Sequence, residues 1–169
     1  MTNKKEIIAG IIIIGNEILS GRTKDLNTSV LSKWLNQIGI KTHLIKRLNM
    51  REQLIKLVEI IPVEFIVRNI ATGSLTKKLG IADGTVLSKP LLEYSYKNDE
   101  LGDPLVAREH ILEFNWIKHA YVLDFINDSC LRINDFMQGM FRGIGIKLVD
   151  FKLEFGTVGE KIILADEIS

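Results

Sequence analysis

The chain has 169 residues, of which 46% are hydrophobic and 25% are charged, and its formal net charge is +1. This length suffices for a domain with an apolar core, and the composition excludes a disordered chain. The near-zero net charge excludes the strong positive field with which proteins bind nucleic acid or anionic membranes.

The chain has a single cysteine, Cys130, so it cannot form an internal disulfide. This cysteine usage is typical of a reducing cytoplasm. Cys130 lies in an apolar helical pattern, which favours a buried thiol over a nucleophile. No apolar run approaches the roughly 18 residues needed to span a bilayer. We therefore expect a cytoplasmic protein that contacts neither membrane nor nucleic acid.

The first forty residues predict a βα unit. Ile7–Ile14 is almost entirely apolar and β-branched, which is typical of a strand covered on both faces in a parallel sheet. Apolar residues then recur at helical spacing from Leu26 to Ile38, and Gly39 supplies the stop. The stretch A9-G-I-I-I-I-G-N-E-I-L-S-G-R-T-K-D-L-N27 resembles the start of the molybdopterin-binding-like domain of competence/damage-inducible proteins and molybdenum-cofactor enzymes. The alternative is that these residues merely supply a strand and a helix.

The next segment predicts a connector or short helix and then a strand, and a proline restricts where that strand can lie in its sheet. Arg47–Leu57 is polar at its start and predicts a connector or a short helix. Glu59–Arg68 predicts a strand, and Pro62 within it removes one ladder donor. The strand is therefore expected at a sheet edge or with a bend.

Arg68 lies at the end of this strand, and a Thr72-Gly73-Ser74 turn follows it. Ser74 is a suitable cap for a helix that Gly80 would end. A helix start offers backbone N–H groups to an anion, and a hydroxyl and a guanidinium add side-chain donors. The pattern therefore predicts an anion site.

The second half of the chain predicts two further strands around one long helix. Val86–Lys97 reads as a strand interrupted around Pro90. Lys118–Arg142 has the apolar stripe of a helix, with a length of roughly 35 Å. Lys147–Phe155 alternates, so that apolar side chains face one side and charged ones the other. Either this charged face is solvated, or it forms part of a site.

The charged residues of that strand favour a phosphoryl-transfer site. Lys161–Ala165 predicts a returning strand of a hairpin about Gly159-Glu160. A three-residue turn would place Glu154 opposite Asp166, whereas a two-residue turn would place Ala165 there. Opposed carboxylates repel unless a cation lies between them, and Mg²⁺ suits such oxygen ligands. Lys152, on the same strand face as Glu154, is placed to neutralise a phosphate of ATP.

Two long motifs, I60-I-P-V-E-F-I-V-R-N-I-A-T-G-S74 and L148-V-D-F-K-L-E-F-G156 followed by A165-D-E-I168, resemble the SAICAR synthetase (phosphoribosylaminoimidazole-succinocarboxamide synthase) family. The likeness covers about residues 36–169. It implies an α/β (α+β) fold, namely an ATP-grasp/kinase-like core with a mainly antiparallel sheet and one long helix. It also implies an ATP-dependent ligase of purine biosynthesis, which joins carboxyaminoimidazole ribotide to L-aspartate through an acyl phosphate.

The resemblance also implies a role for eight residues and two cofactors, ATP and Mg²⁺. The implied roles are ribotide contacts for Arg68 and Ser74, the substrate side for Lys97 and Asp103, the reacting phosphate for Asp150 and Lys152, and Mg²⁺ binding for Glu154 and Asp166.

The sequence departs from the family pattern at both ends, because the nucleotide-binding lobe and the C-terminal continuation are not found in it. We therefore expect two domains, a molybdopterin-binding-like fragment over residues 1–40 and a truncated synthetase-like domain over residues 41–169. The alternative hypotheses are an inactive chimeric or truncated polypeptide and a molybdopterin-like binding module. A homo-oligomer stays open.

Overall fold

A computed structural model of the chain describes residues 8–12, 27–49 and 52–166, with side chains for residues 32–49 and 52–165. Its residues form two compact units, Met1–Ile60 with Phe155–Ser169, and Ile61–Glu154. The elements of both units are, in chain order, β1 Ile8–Ile12, α1 Asn27–Gln37, β2 Leu44–Arg47, β3 Glu52–Lys56, β4 Glu59–Ala71, α2 Ser74–Leu79, β5 Thr85–Tyr96, a 3-10 turn Asp99–Leu101, β6 Leu105–Val106, α3 Arg108–Glu113, α4 Ala120–Arg142, β7 Asp150–Val158 and β8 Lys161–Asp166.

The first unit contains a three-stranded sheet in the order β1-β3-β2, and both pairings are antiparallel. The predicted parallel environment of the first strand is therefore wrong, and the connector predicted over Arg47–Leu57 contains strand β3. Residues 7, 13 and 14 of the predicted first strand lie outside the described residues. Elsewhere in this unit Thr42 bridges Leu164 of β8 in parallel.

The turn between β7 and β8 consists of Gly159 and Glu160 alone. Gly159 adopts φ 62°, a conformation that glycine favours. Of the two predicted alternatives, a three-residue and a two-residue turn, the structure has the two-residue turn. Asp166 ends β8, and its side chain lies outside the described residues.

The second unit is a sheet in the order β6-β5-β4-β7, with α4 packed on one of its faces. Val63, Phe65 and Val67 of β4 are fully buried because they alternate onto the face that α4 covers. The Asn127 amide of α4 donates to the Tyr94 hydroxyl of β5 at 2.9 Å, which fixes that contact.

Helix α4 confirms the predicted long helix and its apolar stripe. Its buried residues include Leu123, Ile126, Cys130 and Ile133 at a spacing of three and four. Cys130 has no exposed surface, and its burial raises the pKa of the thiol far above the ordinary range. Among the described residues no helix is long and apolar enough to cross a membrane.

Strand β4 is a central strand, so the edge position, one of the two predicted alternatives, is wrong. Pro62 is accommodated because the register of β4 with β5 begins only at Val63. The Pro62 carbonyl accepts the Lys97 N–H at 3.1 Å instead. A missing N–H at this position therefore removes no ladder bond to β5.

Candidate active site

The sheet face that points away from α4 in the second unit is lined by charged side chains. Residues 64, 66 and 68 of β4 alternate onto this face, and residues 150, 152 and 154 of β7 do the same. Three of these charges are almost entirely buried, with residue exposures of 5% for Glu64, 7% for Arg68 and 1% for Glu154. We call this the charged face, and its members are Glu64, Arg68, Glu93, Lys97, Asp150, Lys152 and Glu154.

Arg68 is held by partners from three elements. Its Nε donates to Glu93 of β5 at 2.6 Å, and one terminal nitrogen donates to Asp150 of β7 at 2.6 Å. The other terminal nitrogen donates to the Ser74 hydroxyl at 3.1 Å. A guanidinium carries five N–H donors in a rigid fork. These three bonds therefore fix its plane and leave two donors for another group.

Ser74 is placed by the turn that follows β4. Gly73 adopts φ 59° and occupies the cap position, so that Ser74 becomes the first residue of α2 rather than its predicted N-cap. Its hydroxyl points to Arg68. The predicted neighbourhood of a cation and a helix start is confirmed, while the capping role is wrong.

Two lysines of the charged face pair with its buried carboxylates. Lys152 Nζ of β7 donates to Glu64 of β4 at 2.6 Å. Lys97, which follows β5, places its Nζ 2.5 Å from both carboxylate oxygens of Glu154. The Glu154 side chain is 2% exposed and that of Lys97 is 42% exposed. The ammonium thus neutralises a carboxylate that water hardly reaches.

Asp103 serves the loop after β5 rather than an ion pair. Its carboxylate accepts the Asn98 N–H at 2.8 Å, and its carbonyl accepts the Ser95 hydroxyl at 2.6 Å. Asp103 itself adopts φ 47°, an uncommon value that Asp tolerates better than most residues. These bonds close the loop that follows Lys97.

Of the eight predicted site residues, the structure brings six onto or beside the charged face: Arg68, Ser74, Lys97, Asp150, Lys152 and Glu154. Sequence reasoning missed Glu64 and Glu93, which hold Lys152 and Arg68. The sequence did contain a signal for Glu64, since this charged residue lies four residues before Arg68 within an otherwise apolar strand. It contained no signal for Glu93, because the position of Glu93 beside Arg68 depends on the register of β5 against β4.

The part of the chain that the structure describes holds no cluster of three or more His, Cys, Asp or Glu side chains suited to a metal ion. Glu154 is nevertheless a fitting single ligand. Its two oxygens already share one cationic group, as those of a metal-bound carboxylate would.

Comparison with known proteins identifies the family. The SAICAR synthetase family model matches residues 18–169. The chain belongs to the SAICAR synthetase family. The α+β fold class expected for that family is likewise confirmed, since the structural relatives of this chain are SAICAR synthetases.

The curated relatives of this chain are similar to it in sequence. Phosphoribosylaminoimidazole-succinocarboxamide synthase of Pelagibacter ubique (strain HTCC1062) is 61% identical over 170 residues, which cover 98% of this chain and 62% of that protein. The enzyme of the same name from Sphingopyxis alaskensis is 61% identical over 80% of this chain and 54% of its own length. The chain thus spans between half and two thirds of the length of these relatives.

Solved SAICAR synthetases share the fold. The Ehrlichia chaffeensis enzyme is 46% identical with a TM-score of 0.81, and the likeness covers 94% of this chain and 67% of that one. A SAICAR synthetase in complex with ADP is 36% identical with a TM-score of 0.79, over 86% of this chain and 62% of that one. The family match begins at residue 18 and so reaches into the predicted N-terminal fragment. The domain boundary after residue 40 stays a prediction.

Proposed function

We propose that the charged face forms the substrate and phosphate half of a ligase site, which joins carboxyaminoimidazole ribotide to L-aspartate at the expense of ATP. The observation that carries the proposal is the fixed Arg68, bound by Glu93, Asp150 and Ser74 beside the Lys152 and Glu154 pairs. Membership of the SAICAR synthetase family supports it. The function named for the curated relatives, phosphoribosylaminoimidazole-succinocarboxamide synthase, supports it as well.

The proposed reaction has two steps. An oxygen of the ribotide carboxylate attacks the γ-phosphorus of ATP, so that the bond to the β–γ bridging oxygen breaks and ADP leaves. The amine of aspartate then attacks the carbonyl carbon of this acyl phosphate. A C–N bond forms, the C–O bond to phosphate breaks, and the amine nitrogen loses a proton to give the amide.

Arg68 is the residue that would bind the ribotide anion. Two of its N–H donors have no partner among the described residues, and the other three fix the direction in which these two point. Ser74 contributes its hydroxyl beside them. A guanidinium held in advance by Glu93 and Asp150 loses little entropy when the substrate binds.

Lys152 and Asp150 would lie at the reacting phosphate. Both project from β7 on the same face, two residues apart, and their side chains are each 35% exposed. They are therefore open to a ligand while their strand holds them in position. A positive charge at the transferring phosphoryl group stabilises the charge that develops there.

Glu154 is the residue of the charged face that would hold Mg²⁺, and Asp166 is the second ligand that the family motif implies. When bound, Mg²⁺ would supply positive charge that neutralises the phosphate groups of the nucleotide. Lys97, which contacts Glu154 in this structure, would have to release that carboxylate or share it. The nucleotide is supported by the related SAICAR synthetase in complex with ADP. A cytoplasmic location completes the proposal and agrees with the single free cysteine.

The test is to titrate the folded full chain with Mg²⁺-ATP and then with the ribotide by isothermal calorimetry. Product formation is followed by mass spectrometry after L-aspartate is added. Lys152→Met is expected to remove product formation, while the exposed Lys118→Met serves as its matched control. A folded sample that gives neither heat nor product would refute the proposal. Equal turnover in Lys152→Met and wild type would refute the role of Lys152.

A further inference from the structure

A pocket lies on the opposite side of the sheet from the charged face. Strand β5 leaves its register with β4 there, because Arg68 pairs with Leu91 whereas Ile70 pairs with Val86. Residues 87–90 of β5 therefore bulge past the single residue Asn69. The bulge, the end of α4 and the loop 145–148 enclose a cavity of about 580 Å³, which we call the bulge pocket.

The bulge pocket is separate from the charged face. Arg68 and Asn69 are neighbours on β4, and their side chains leave the strand on opposite faces. The Asn69 amide bonds with Asn134 of α4 at 2.8 Å, which places it on the helix side of the sheet. A ligand in the bulge pocket would consequently not contact Arg68 or its carboxylates.

Three cations line the bulge pocket, and they are Lys89, Arg142 and Lys147. No acidic side chain is among its lining residues. None of the three has an ion-pair partner in the described ranges. Arg68, by contrast, lies between two carboxylates. Three unpaired like charges around one cavity create a positive potential that an anion would relieve.

The floor of the bulge pocket is polar and rigid. Gln138 Nε2 donates to the Asn69 carbonyl at 2.8 Å, and Asn134 bonds to the same amide. Asn134 is fully buried, so these amides are fixed by packing. The Gln138 side-chain carbonyl remains as an acceptor for a ligand hydroxyl or amine.

The mouth of the bulge pocket is apolar. Val86 is 71% exposed and Ile146 is 52% exposed, although both are large hydrophobic residues. A ligand that covered them would gain about 25 cal/mol for each Å² of apolar surface removed from water. The pocket thus combines cations, a fixed amide acceptor and apolar walls, which suits a ligand with an anionic end and a flat apolar body.

We propose that the bulge pocket binds a small phosphate monoester with a ring-shaped body, of the size of a nucleoside monophosphate. Its volume falls within the range of about 300–1,000 Å³ that is typical of small-molecule sites. Arg142 offers a planar fork for two phosphate oxygens, and the two lysines supply point charges around it. The ring would lie on Val86 and Ile146.

Adenosine 5′-monophosphate is the probe, titrated into the full chain by calorimetry, and neutral adenosine is its comparison. The double variant Arg142→Gln/Lys147→Gln is expected to weaken binding by about tenfold or more, which corresponds to about 1.4 kcal/mol. Lys89→Gln should weaken it in the same direction. Arg132→Gln, on the same helix but outside the pocket, is the matched control and is expected to bind like the wild type. Adenosine is expected to bind at least about tenfold more weakly than the monophosphate.

The ligase site proposed above also takes a nucleotide, so the titration is repeated with Lys152→Met. Retention of binding there, together with its loss in the pocket variants, supports the bulge pocket and does not depend on ligase activity. Two results would overturn the proposal. One is unchanged binding in both pocket variants, and the other is no binding to a wild-type chain shown to be folded by circular dichroism.

Discussion

Arg68→Met tests whether the charged face is held together by buried ion pairs. Methionine keeps much of the apolar stem of arginine but removes the guanidinium. Glu93 and Asp150 would then face one another without the cation that separates them. Because their side chains are only 16% and 35% exposed, water can replace the lost partner only in part.

The size of the effect follows from this burial. Removal of one partner from a buried ion pair destabilises a protein by about 3–5 kcal/mol. The partial exposure of Asp150 reduces this, so we expect Arg68→Met to lower the free energy of unfolding by about 2–4 kcal/mol. Arg108 and Asp124 form an ion pair with the same separation of 2.6 Å, but their side chains are 33% and 61% exposed. Arg108→Met should therefore lower the free energy of unfolding far less than Arg68→Met does.

Urea unfolding of both variants and wild type measures the difference, with circular dichroism and tryptophan fluorescence as probes. Neutralisation of both carboxylates in Arg68→Met/Glu93→Gln/Asp150→Asn is expected to restore about half of the loss or more. Equal destabilisation by Arg68→Met and Arg108→Met would refute the reasoning from burial. A triple variant no more stable than Arg68→Met would show that uncompensated carboxylates are not the cause.

Three further predictions concern the packing of the chain. Gly156→Ala should destabilise the chain by about 3 kcal/mol or more in thermal unfolding, because a Cβ there would lie 2.6 Å from the Glu59 carbonyl oxygen. Gly139→Ala is its control. Gly139 lies in a helix with open space around its Cβ position, so this change should stabilise the chain by up to about 1 kcal/mol. Cys130 should not react with a thiol reagent in the native chain but should react fully in denaturant, and a fast native reaction would contradict its burial. Burial raises the pKa of Tyr94, so the unfolded chain loses the phenol proton at a lower pH than the folded chain does. The stability that is linked to this proton is complete below the unfolded pKa of about 10 and is lost as the pH rises further. Tyr94→Phe should accordingly flatten the fall in stability above about pH 10, and an unchanged slope would contradict this.

The sequence predicted those elements whose periodicity is set by their own residues. The apolar stripe of α4 and the alternation of β7 needed no knowledge of their neighbours. The first strand was predicted as a strand, but its predicted parallel environment was wrong. An unbroken apolar run indicates how much of a strand is covered, but not which strand pairs with it. Strand β3 was missed since Glu52 and Lys56 at its ends make it resemble a connector.

In the candidate site, too, contacts between residues close in sequence could be predicted, whereas contacts that depend on strand pairing could not. Arg68 and Ser74 lie close in sequence, so the turn between them could be predicted and their contact follows from it. Glu93 lies 25 residues from Arg68, and it reaches that guanidinium only because β5 pairs with β4 in one register. A shift of one residue would turn Glu93 to the other face of the sheet, and no local pattern fixes that register.

The charged face is better explained by ligand binding than by stability. A buried ion pair loses hydration that its Coulomb attraction repays only in part, so an apolar face of equal volume would be at least as stable. Arg68 of β4 is held by Glu93 of β5 and Asp150 of β7, and Lys152 of β7 is held by Glu64 of β4. Each bond joins different strands, so the register of the sheet sets the spacing of the cations. Such a face holds its charges in position before a ligand arrives, as the proposed role in phosphoryl transfer requires.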